Sequence, residues 1–225
     1  EAYFASNTLT EYTLGRRLFL WNEADSFWNL GVWQPQNRWD GLKPIEQGFI
    51  GVFAQSKSEV FNWVGFISPA NIPSMGPDLS DRNGRLTAKG RWFSAPGKEL
   101  NFRGRTTPIS YTLETPAAEK IISYPGIGTK FEIGDFRKGG WIRTAAAYKP
   151  INQILGSVNS ILRLQESESG PIGSVRVTPY IIQHSMASLD MGWTFLNTKI
   201  WISHIQDNPQ NVAPHPGITI QHLNP

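Results

Sequence analysis

Apolar and polar residues alternate along much of this chain, and the alternation predicts β-strands. Successive side chains of a strand point to opposite faces, so a period of two marks an element with one apolar face. The segment 8–21 is an example, because Tyr12 and Leu14 share one face whereas Glu11 and Thr13 share the other. The pattern predicts an all-β fold of about eleven strands and no long helix.

Short runs of turn-forming residues separate consecutive alternating segments. Segments 47–55 and 59–68 flank Ser56-Lys57-Ser58, and segments 128–136 and 141–149 flank Arg137-Lys138-Gly139-Gly140. Both arrangements are typical of hairpins. Further strands are predicted at 99–113, 154–164, 174–184 and 189–205. Because the intervening turns are short and polar, we predict an antiparallel meander that forms a single domain over residues 1–225.

One stretch, residues 69–84, interrupts this regularity. It contains three prolines and two glycines, which predict a long loop without a regular element. Charges of both signs follow one another at its end: Asp78, Asp81, Arg82, Arg85 and, a little later, Arg91. Around a pore, such a loop would fold inward and narrow the lumen. The other interpretation is an outward surface loop, which is the default for loops.

The aromatic content favours two kinds of β-protein, because the chain has nine Trp, six Tyr and no Cys. In outer-membrane β-barrels, aromatic residues form bands at the two lipid interfaces. In secreted glycan-binding β-sandwiches, they stack on sugar rings. For a barrel we expect these residues near the rims: Trp141, Tyr148, Trp193 and Trp201. For a sandwich, the platform would comprise Trp21, Trp28, Trp33 and Trp39, beside Glu23, Asp25 and Asp40.

Charge and motifs argue against several other functions. A balance of 21 basic and 18 acidic residues is not the signature of a nucleic-acid-binding protein. No window of ~18 consecutive apolar residues is present, so no transmembrane helix is predicted. The four His do not have the spacing of metal ligands; they are His184, His204, His215 and His222. We therefore expect no metal and no other cofactor.

Catalytic motifs are also missing from the sequence. The nucleophile-elbow pattern Gly-x-Ser-x-Gly does not occur. Glu23 and Asp25 lie between Trp21 and Trp28, and paired carboxylates beside aromatic residues are what glycoside hydrolysis requires. The two acids share one short loop, however, where carboxylates are common. We therefore expect that the protein is not an enzyme.

Several strings in the chain suggest a family. They are Leu-Gly-Arg-Arg (14–17), Trp-Asn-Leu-Gly-Val-Trp-Gln-Pro (28–35), Glu-Gln-Gly-Phe-Ile-Gly (46–51), Ser-Pro-Ala-Asn-Ile-Pro-Ser-Met-Gly-Pro (68–77), Ile-Ser-Tyr-Pro-Gly (122–126) and Tyr-Lys-Pro-Ile-Asn-Gln (148–153). In their order, the chain resembles porin-like outer-membrane barrels of Gram-negative bacteria of the Bdellovibrio kind, over roughly residues 12–225. None of these strings is a catalytic motif, so the resemblance implies no active-site residue.

One feature departs from that family. Such barrels usually end in a strand that closes on an aromatic residue, whereas this sequence ends His222-Leu-Asn-Pro225. We therefore expect either a section of a longer barrel or a barrel closed together with other chains, unless the barrel interpretation itself is wrong.

The sequence thus favours an all-β antiparallel outer-membrane barrel, or a section of one, that acts as a passive pore or as a structural scaffold. The expected partners are outer-membrane lipid, small hydrophilic solutes if a pore exists, and further copies of the chain, but not nucleic acid. The candidate pore or constriction residues are Arg16, Arg17, Asp78, Asp81, Arg82, Arg85 and Arg91. The alternative is a soluble, secreted, Trp-rich β-sandwich that binds or cleaves glycans.

Overall fold

The computed structural model describes residues 10–91, 93–102, 104–165, 172–196, 198–210 and 218–223. The strands formed in these residues are β1 (Thr10–Arg17), β2 (Gln36–Asn37), β3 (Ile45–Glu46), β4 (Phe49–Lys57), β5 (Phe61–Ser68), β6 (Leu79–Arg82), β7 (Arg85–Ala88), β8 (Glu99–Phe102), β9 (Arg105–Leu113), β10 (Gly126–Gly134), β11 (Gly139–Pro150), β12 (Leu155–Gln165), β13 (Ile172–Tyr180), β14 (Gln183–Phe195), β15 (Thr198–Pro209) and β16 (Ile218–Leu223). The helices are α1 (Glu23–Trp28) and α2 (Glu119–Ile122). The predicted all-β class is confirmed.

A large antiparallel sheet of seven strands dominates the fold, in the order β1-β4-β5-β10-β11-β14-β15. Its hairpins β4–β5 and β10–β11 are those that the turn residues predict. A third hairpin differs from the prediction, because β14 ends at Phe195 and β15 begins at Thr198 inside the segment 189–205. Alternation continues through this turn, which hides it in the sequence. Within the described residues, β1 and β15 are the two edges of the sheet.

Residues 18–48 cross one face of this sheet, and we call them the cover segment. Trp21 and Trp33 are 1% and 0% exposed and stack with their ring centroids 5.3 Å apart. Trp21 also meets Phe49 and Phe66 of the sheet edge-on, at 5.8 and 5.3 Å. Burying large apolar side chains stabilises a fold by roughly 1.5–3 kcal/mol each. This aromatic cluster therefore holds the cover segment against the sheet.

The cover segment contains α1, which the sequence did not predict. Asn22 caps the helix by accepting a hydrogen bond from the Asp25 backbone N–H at 2.9 Å, and Asn29 ends it in the left-handed conformation. Six residues make fewer than two helical turns. That length is too short for a helical period to show in the sequence.

A second sheet has the order β16-β12-β13-β9-β8. The strand pairs β12–β16 and β13–β9 are parallel, so the predicted meander is wrong for this part of the chain. Parallel neighbours require partners that are distant along the chain, and local turn signals do not reveal them. The predicted strand 174–184 also divides, because β13 ends at Tyr180 and β14 begins at Gln183.

The prediction of an irregular loop at 69–84 is wrong for its last part. Strands β6 and β7 form a hairpin, and its turn residues Asn83 and Gly84 have φ values of 51° and 70°. Two positive φ angles are typical of the type I′ turn that Asn-Gly favours. The hairpin contacts β9, where the Tyr111 N–H donates to Gly84 O at 2.9 Å and the Leu113 N–H donates to Asp81 Oδ2 at 3.0 Å.

Candidate functional site

The face of the seven-stranded sheet opposite the cover segment is exposed and apolar, and we call it the apolar face. Ile67 and Ile127 are 61% and 55% exposed, and Ile200 and Ile202 are both 71% exposed. Other large exposed side chains at its register positions are Tyr12, Leu14, Val52, Ile133, Ile142, Leu189, Met191 and Trp193.

Strand register makes the apolar face continuous. Val52, Ile67, Ile127 and Tyr148 are direct neighbours across four strands. Within the described residues, Arg16 on edge strand β1 is the one Lys, Arg, Asp or Glu at the register positions of this face. A shallow apolar hollow of about 710 Å³ lies over its centre. Apart from Arg16, the polar side chains described on this face are those of residues such as Thr144, Ser185, Gln206 and Asn208, which carry no formal charge.

The covered face of the same sheet carries a network of charged side chains centred on Arg143. Arg143 Nε lies 2.6 Å from Glu132 Oε1, and Nη1 lies 2.9 Å from Glu23 Oε1 and 3.5 Å from Asp190 Oδ2. Lys130 Nζ is 3.2 Å from Glu132 Oε1. Arg143 and Asp190 are 4% and 1% exposed. Buried charges persist when they are paired, and here one guanidinium serves three carboxylates.

Asp190 links this network to the cover segment. Its carboxylate accepts hydrogen bonds from Asn22 Nδ2 at 2.6 Å, from Ser203 Oγ at 2.6 Å and from the Glu23 backbone N–H at 2.9 Å. Lys199 of β15 donates to Glu23 at 2.6 Å. The start of α1 is therefore attached to three strands of the sheet by polar contacts.

A second anchor lies at the other end of β11. Asn152 Nδ2 donates to the carbonyl oxygens of Gly31 and Val32 at 2.8 Å each, and Asn152 Oδ1 accepts from buried Lys149 at 2.8 Å. Inside the cover segment, Asp25 accepts from the Val32 N–H at 2.9 Å. Polar contacts thus fix the cover segment near its start and near its middle, in addition to its apolar contacts with the sheet.

Two acids of the cover segment have shifted pKa values. Burial alone would raise the pKa of Glu23, but hydrogen bonds from Lys199 and Arg143 outweigh it and hold the pKa below its usual value. Burial and the nearby Asp25 raise the pKa of Glu46. Glu23 therefore belongs to the network as a carboxylate.

The predicted constriction residues do not form one site. Arg16 donates to Gly48 O at 3.3 Å, and Arg17 pairs with Glu11 at 3.3 Å, both on edge strand β1. The other candidates lie in or beside the β6–β7 hairpin, along β9: Asp78, Asp81, Arg82, Arg85 and Arg91. The element that occupies the covered face is the cover segment and not the loop 69–85.

The four predicted interface aromatics divide between the two faces. Tyr148 and Trp193 lie on the apolar face and are 40% and 61% exposed. Trp141 lies on the covered face with only 2% of its surface exposed, so an interface position does not fit its ring. Trp201 also lies on the covered side, 6.1 Å from the Phe27 ring of the cover segment.

The Trp platform expected for a glycan-binding sandwich is likewise divided. Trp21 and Trp33 are buried against each other, whereas Trp28 and Trp39 are 67% and 56% exposed. A sugar ring cannot reach the buried pair. Asp25 is buried as well and accepts backbone hydrogen bonds.

Sequence reasoning missed the charged network itself. Its sheet residues are Lys130, Glu132, Arg143, Asp190 and Lys199. A signal was present, because these residues fall at the alternate positions opposite the apolar ones of their strands. Which strands would bring the charges together depends on pairings between distant segments, and those pairings are not visible locally.

A comparison of the chain with protein-family models, curated proteins and solved structures finds no match. In the part of the chain that the structure describes, no helix is long and apolar enough to cross a membrane. The same part contains no group of three or more His, Cys, Asp or Glu placed to hold a metal ion.

Proposed function

We propose that the seven-stranded sheet is part of the wall of an outer-membrane β-barrel, with its apolar face against lipid and its covered face toward the barrel interior. One observation carries this proposal: the exposed face is almost free of charge, whereas the covered face holds the ionised network around Arg143. In a soluble β-sandwich the charged side chains lie instead on the exposed faces, because apolar residues face the core. Outer-membrane barrels place apolar residues outward and polar residues inward.

The extent of the apolar face supports contact with lipid. Soluble monomers rarely expose contiguous apolar patches larger than a few hundred Å². Here exposed Ile, Leu, Met and aromatic side chains continue from β1 to β15. Lipid chains are themselves apolar, so contact with lipid removes the free-energy cost of exposing these side chains to water.

Five of the seven strands are long enough for a bilayer span, which needs about 9–11 residues in a tilted strand. Strands β4 and β10 contain 9 residues each, β11 and β15 contain 12 each and β14 contains 13, whereas β1 and β5 contain 8 each. In lipid, the backbone groups of edge strands must also be paired. The proposal therefore requires further strands, or another copy of the chain, beside β1 and β15.

Within this proposal, the wall acts as a structural scaffold rather than as an open pore. The cover segment fills the inward side, where buried Trp21 and Trp33 pack against the sheet and Asn22 and Asn152 make polar anchors. Passage of hydrophilic solutes would first require those contacts to break.

A partition experiment tests the proposal. The full chain is mixed with phospholipid vesicles and floated on a density gradient, with Leu189→Arg on the apolar face as the test variant and Lys138→Asp, in an exposed turn, as the control. We expect the wild type and the control to float with the vesicles. Leu189→Arg should shift protein to the soluble fraction, since Leu189 lies at the centre of β14 and Arg on the lipid face costs roughly 2–4 kcal/mol near the middle of the bilayer. Wild-type protein that stays soluble without detergent would instead support the β-sandwich.

A further inference from the structure

A pocket of about 590 Å³ lies between the cover segment and the β6–β7 hairpin, and none of its lining residues belongs to a strand of the seven-stranded sheet. Its lining includes Arg38, Trp39, Asp40, Leu79, Arg91 and Phe93, and we call it the Trp39 pocket. We propose that the Trp39 pocket binds an acidic saccharide, a pyranose ring that carries a carboxylate. This inference goes beyond the proposed membrane function and does not depend on it.

Backbone hydrogen bonds build the walls of this pocket. The Arg38 N–H donates to Met75 O at 2.6 Å, and the Met75 N–H donates to Gln36 O at 3.0 Å, so the two lining segments are joined. Next to them, the Leu42 N–H donates to Asp40 Oδ1 at 3.0 Å and closes a tight turn. The pocket is therefore formed before any ligand arrives, which lowers the entropic cost of binding.

The aromatic side chains supply an apolar surface for a ring. Trp39 is 56% exposed, so its indole ring is open to a ligand in the pocket. Phe93, Leu79 and Pro77 extend the apolar lining. The C–H groups of a pyranose carry partial positive charge and pack well against the negative face of an indole ring.

The charged side chains supply recognition of an acidic group and of hydroxyls. Arg38 is oriented by Gln36 Oε1 at 2.9 Å and by Leu30 O at 3.0 Å, so its guanidinium is held in place. Arg91 adds a second guanidinium, and Asp40 supplies a carboxylate. Guanidinium groups suit carboxylates, whereas an acceptor such as Asp40 suits sugar hydroxyls.

Charged and aromatic side chains together favour one class of ligand for the Trp39 pocket. A hydrocarbon would offer no polar group to Arg38, Arg91 or Asp40, and a small inorganic anion would leave Trp39 and Phe93 uncovered. A ring with apolar faces, hydroxyls and one acid satisfies all of these groups. The volume also lies within the range of about 300–1,000 Å³ that is usual for ligand pockets.

Calorimetric titration of the full chain with oligogalacturonate tests the proposal, with its neutral methyl ester and inorganic phosphate as comparison ligands. We expect oligogalacturonate to bind, the ester to bind about tenfold more weakly, and phosphate not to compete. Trp39→Ala and Arg91→Ala should each lower the affinity about tenfold. Trp28→Ala and Lys89→Ala are matched controls, because both side chains are exposed outside the pocket, and they should leave the affinity unchanged.

Four results would overturn the proposal. They are no binding of oligogalacturonate by the wild type, equal binding of the methyl ester, full competition by phosphate, and an equal loss of affinity in the control variants. Each variant is first compared with the wild type by its unfolding midpoint. Because Trp39 and Arg91 are exposed, we expect both variants to fold like the wild type.

Discussion

At the scale of single residues, Arg143 is the side chain on which the covered face depends most. It pairs with Glu132, Glu23 and Asp190 while only 4% exposed. Removing one partner of a buried ion pair typically costs about 3–5 kcal/mol, because the remaining charge is left buried without a partner. We expect Arg143→Met to lower the free energy of unfolding by that amount in a denaturant titration.

The matched control for that prediction is Arg137→Met, since Arg137 lies in the exposed turn between β10 and β11. Surface substitutions of this kind usually change stability by about 0.5 kcal/mol or less. Equal, small effects of the two substitutions would show that the network does not hold the covered face together.

Glu23 gives the network a dependence on pH. Hydrogen bonds from Lys199 and Arg143 hold its pKa in the folded protein below the usual 4.5. As the pH falls, Glu23 therefore takes up its proton in the unfolded chain before it does so in the folded protein. The stability that Glu23 contributes is complete above pH 4.5 and is lost as the pH falls through the lower pKa of the folded protein. We expect Glu23→Gln to be less stable than the wild type at neutral pH, and the difference to shrink as the pH falls. A difference in unfolding free energy that is constant from neutral pH to pH 3 would contradict this assignment.

At the scale of elements, local chemistry explains which parts of the fold the sequence predicts. Hairpins β4–β5 and β10–β11 follow from alternation interrupted by turn residues. The hairpin β6–β7 was missed although Asn83-Gly84 is a strong hairpin signal, because three prolines just before it suggested an irregular loop. Helix α1 and the parallel pairs β12–β16 and β13–β9 were missed for a different reason. Helix α1 is too short to show a helical period, and the two parallel pairs join segments that are distant along the chain.

The β6–β7 turn makes a prediction at this scale. Gly84 has a φ of 70°, and a Cβ atom there would lie 2.5 Å from Ser110 Oγ. An L-residue in the left-handed region costs about 1–2 kcal/mol. We expect Gly84→Ala to destabilise the protein by at least that amount and to increase hydrogen exchange at the Tyr111 amide, which donates to Gly84 O.

The control for the turn is Asn83→Gly, because glycine adopts the φ of 51° found there without strain. That variant should keep the wild-type stability and exchange rates. If Gly84→Ala behaved like Asn83→Gly, the hairpin would not have the turn described here.

At the scale of the whole molecule, the seven-stranded sheet separates two environments. Register places exposed apolar side chains on one face and, on the other, a charged network beneath the cover segment. The alternation in the sequence predicted that the strands have two different faces. It did not predict which face the chain itself would cover, because Trp21 stacks on Trp33 and meets Phe49 and Phe66, and local alternation does not reveal contacts between such separate segments.

Fluorescence quenching by brominated lipid tests the central claim most directly, because it measures whether the apolar face contacts lipid. The chain has no Cys, so one introduced thiol can carry a fluorophore at a chosen site. In vesicles that contain brominated lipid, we expect strong quenching of labels at Ile142 and Ala146 of the apolar face and at Ile202 of β15, and weak quenching at Lys138 in the exposed turn. Equal quenching at all four positions, or none at Ile142, Ala146 and Ile202, would contradict the account.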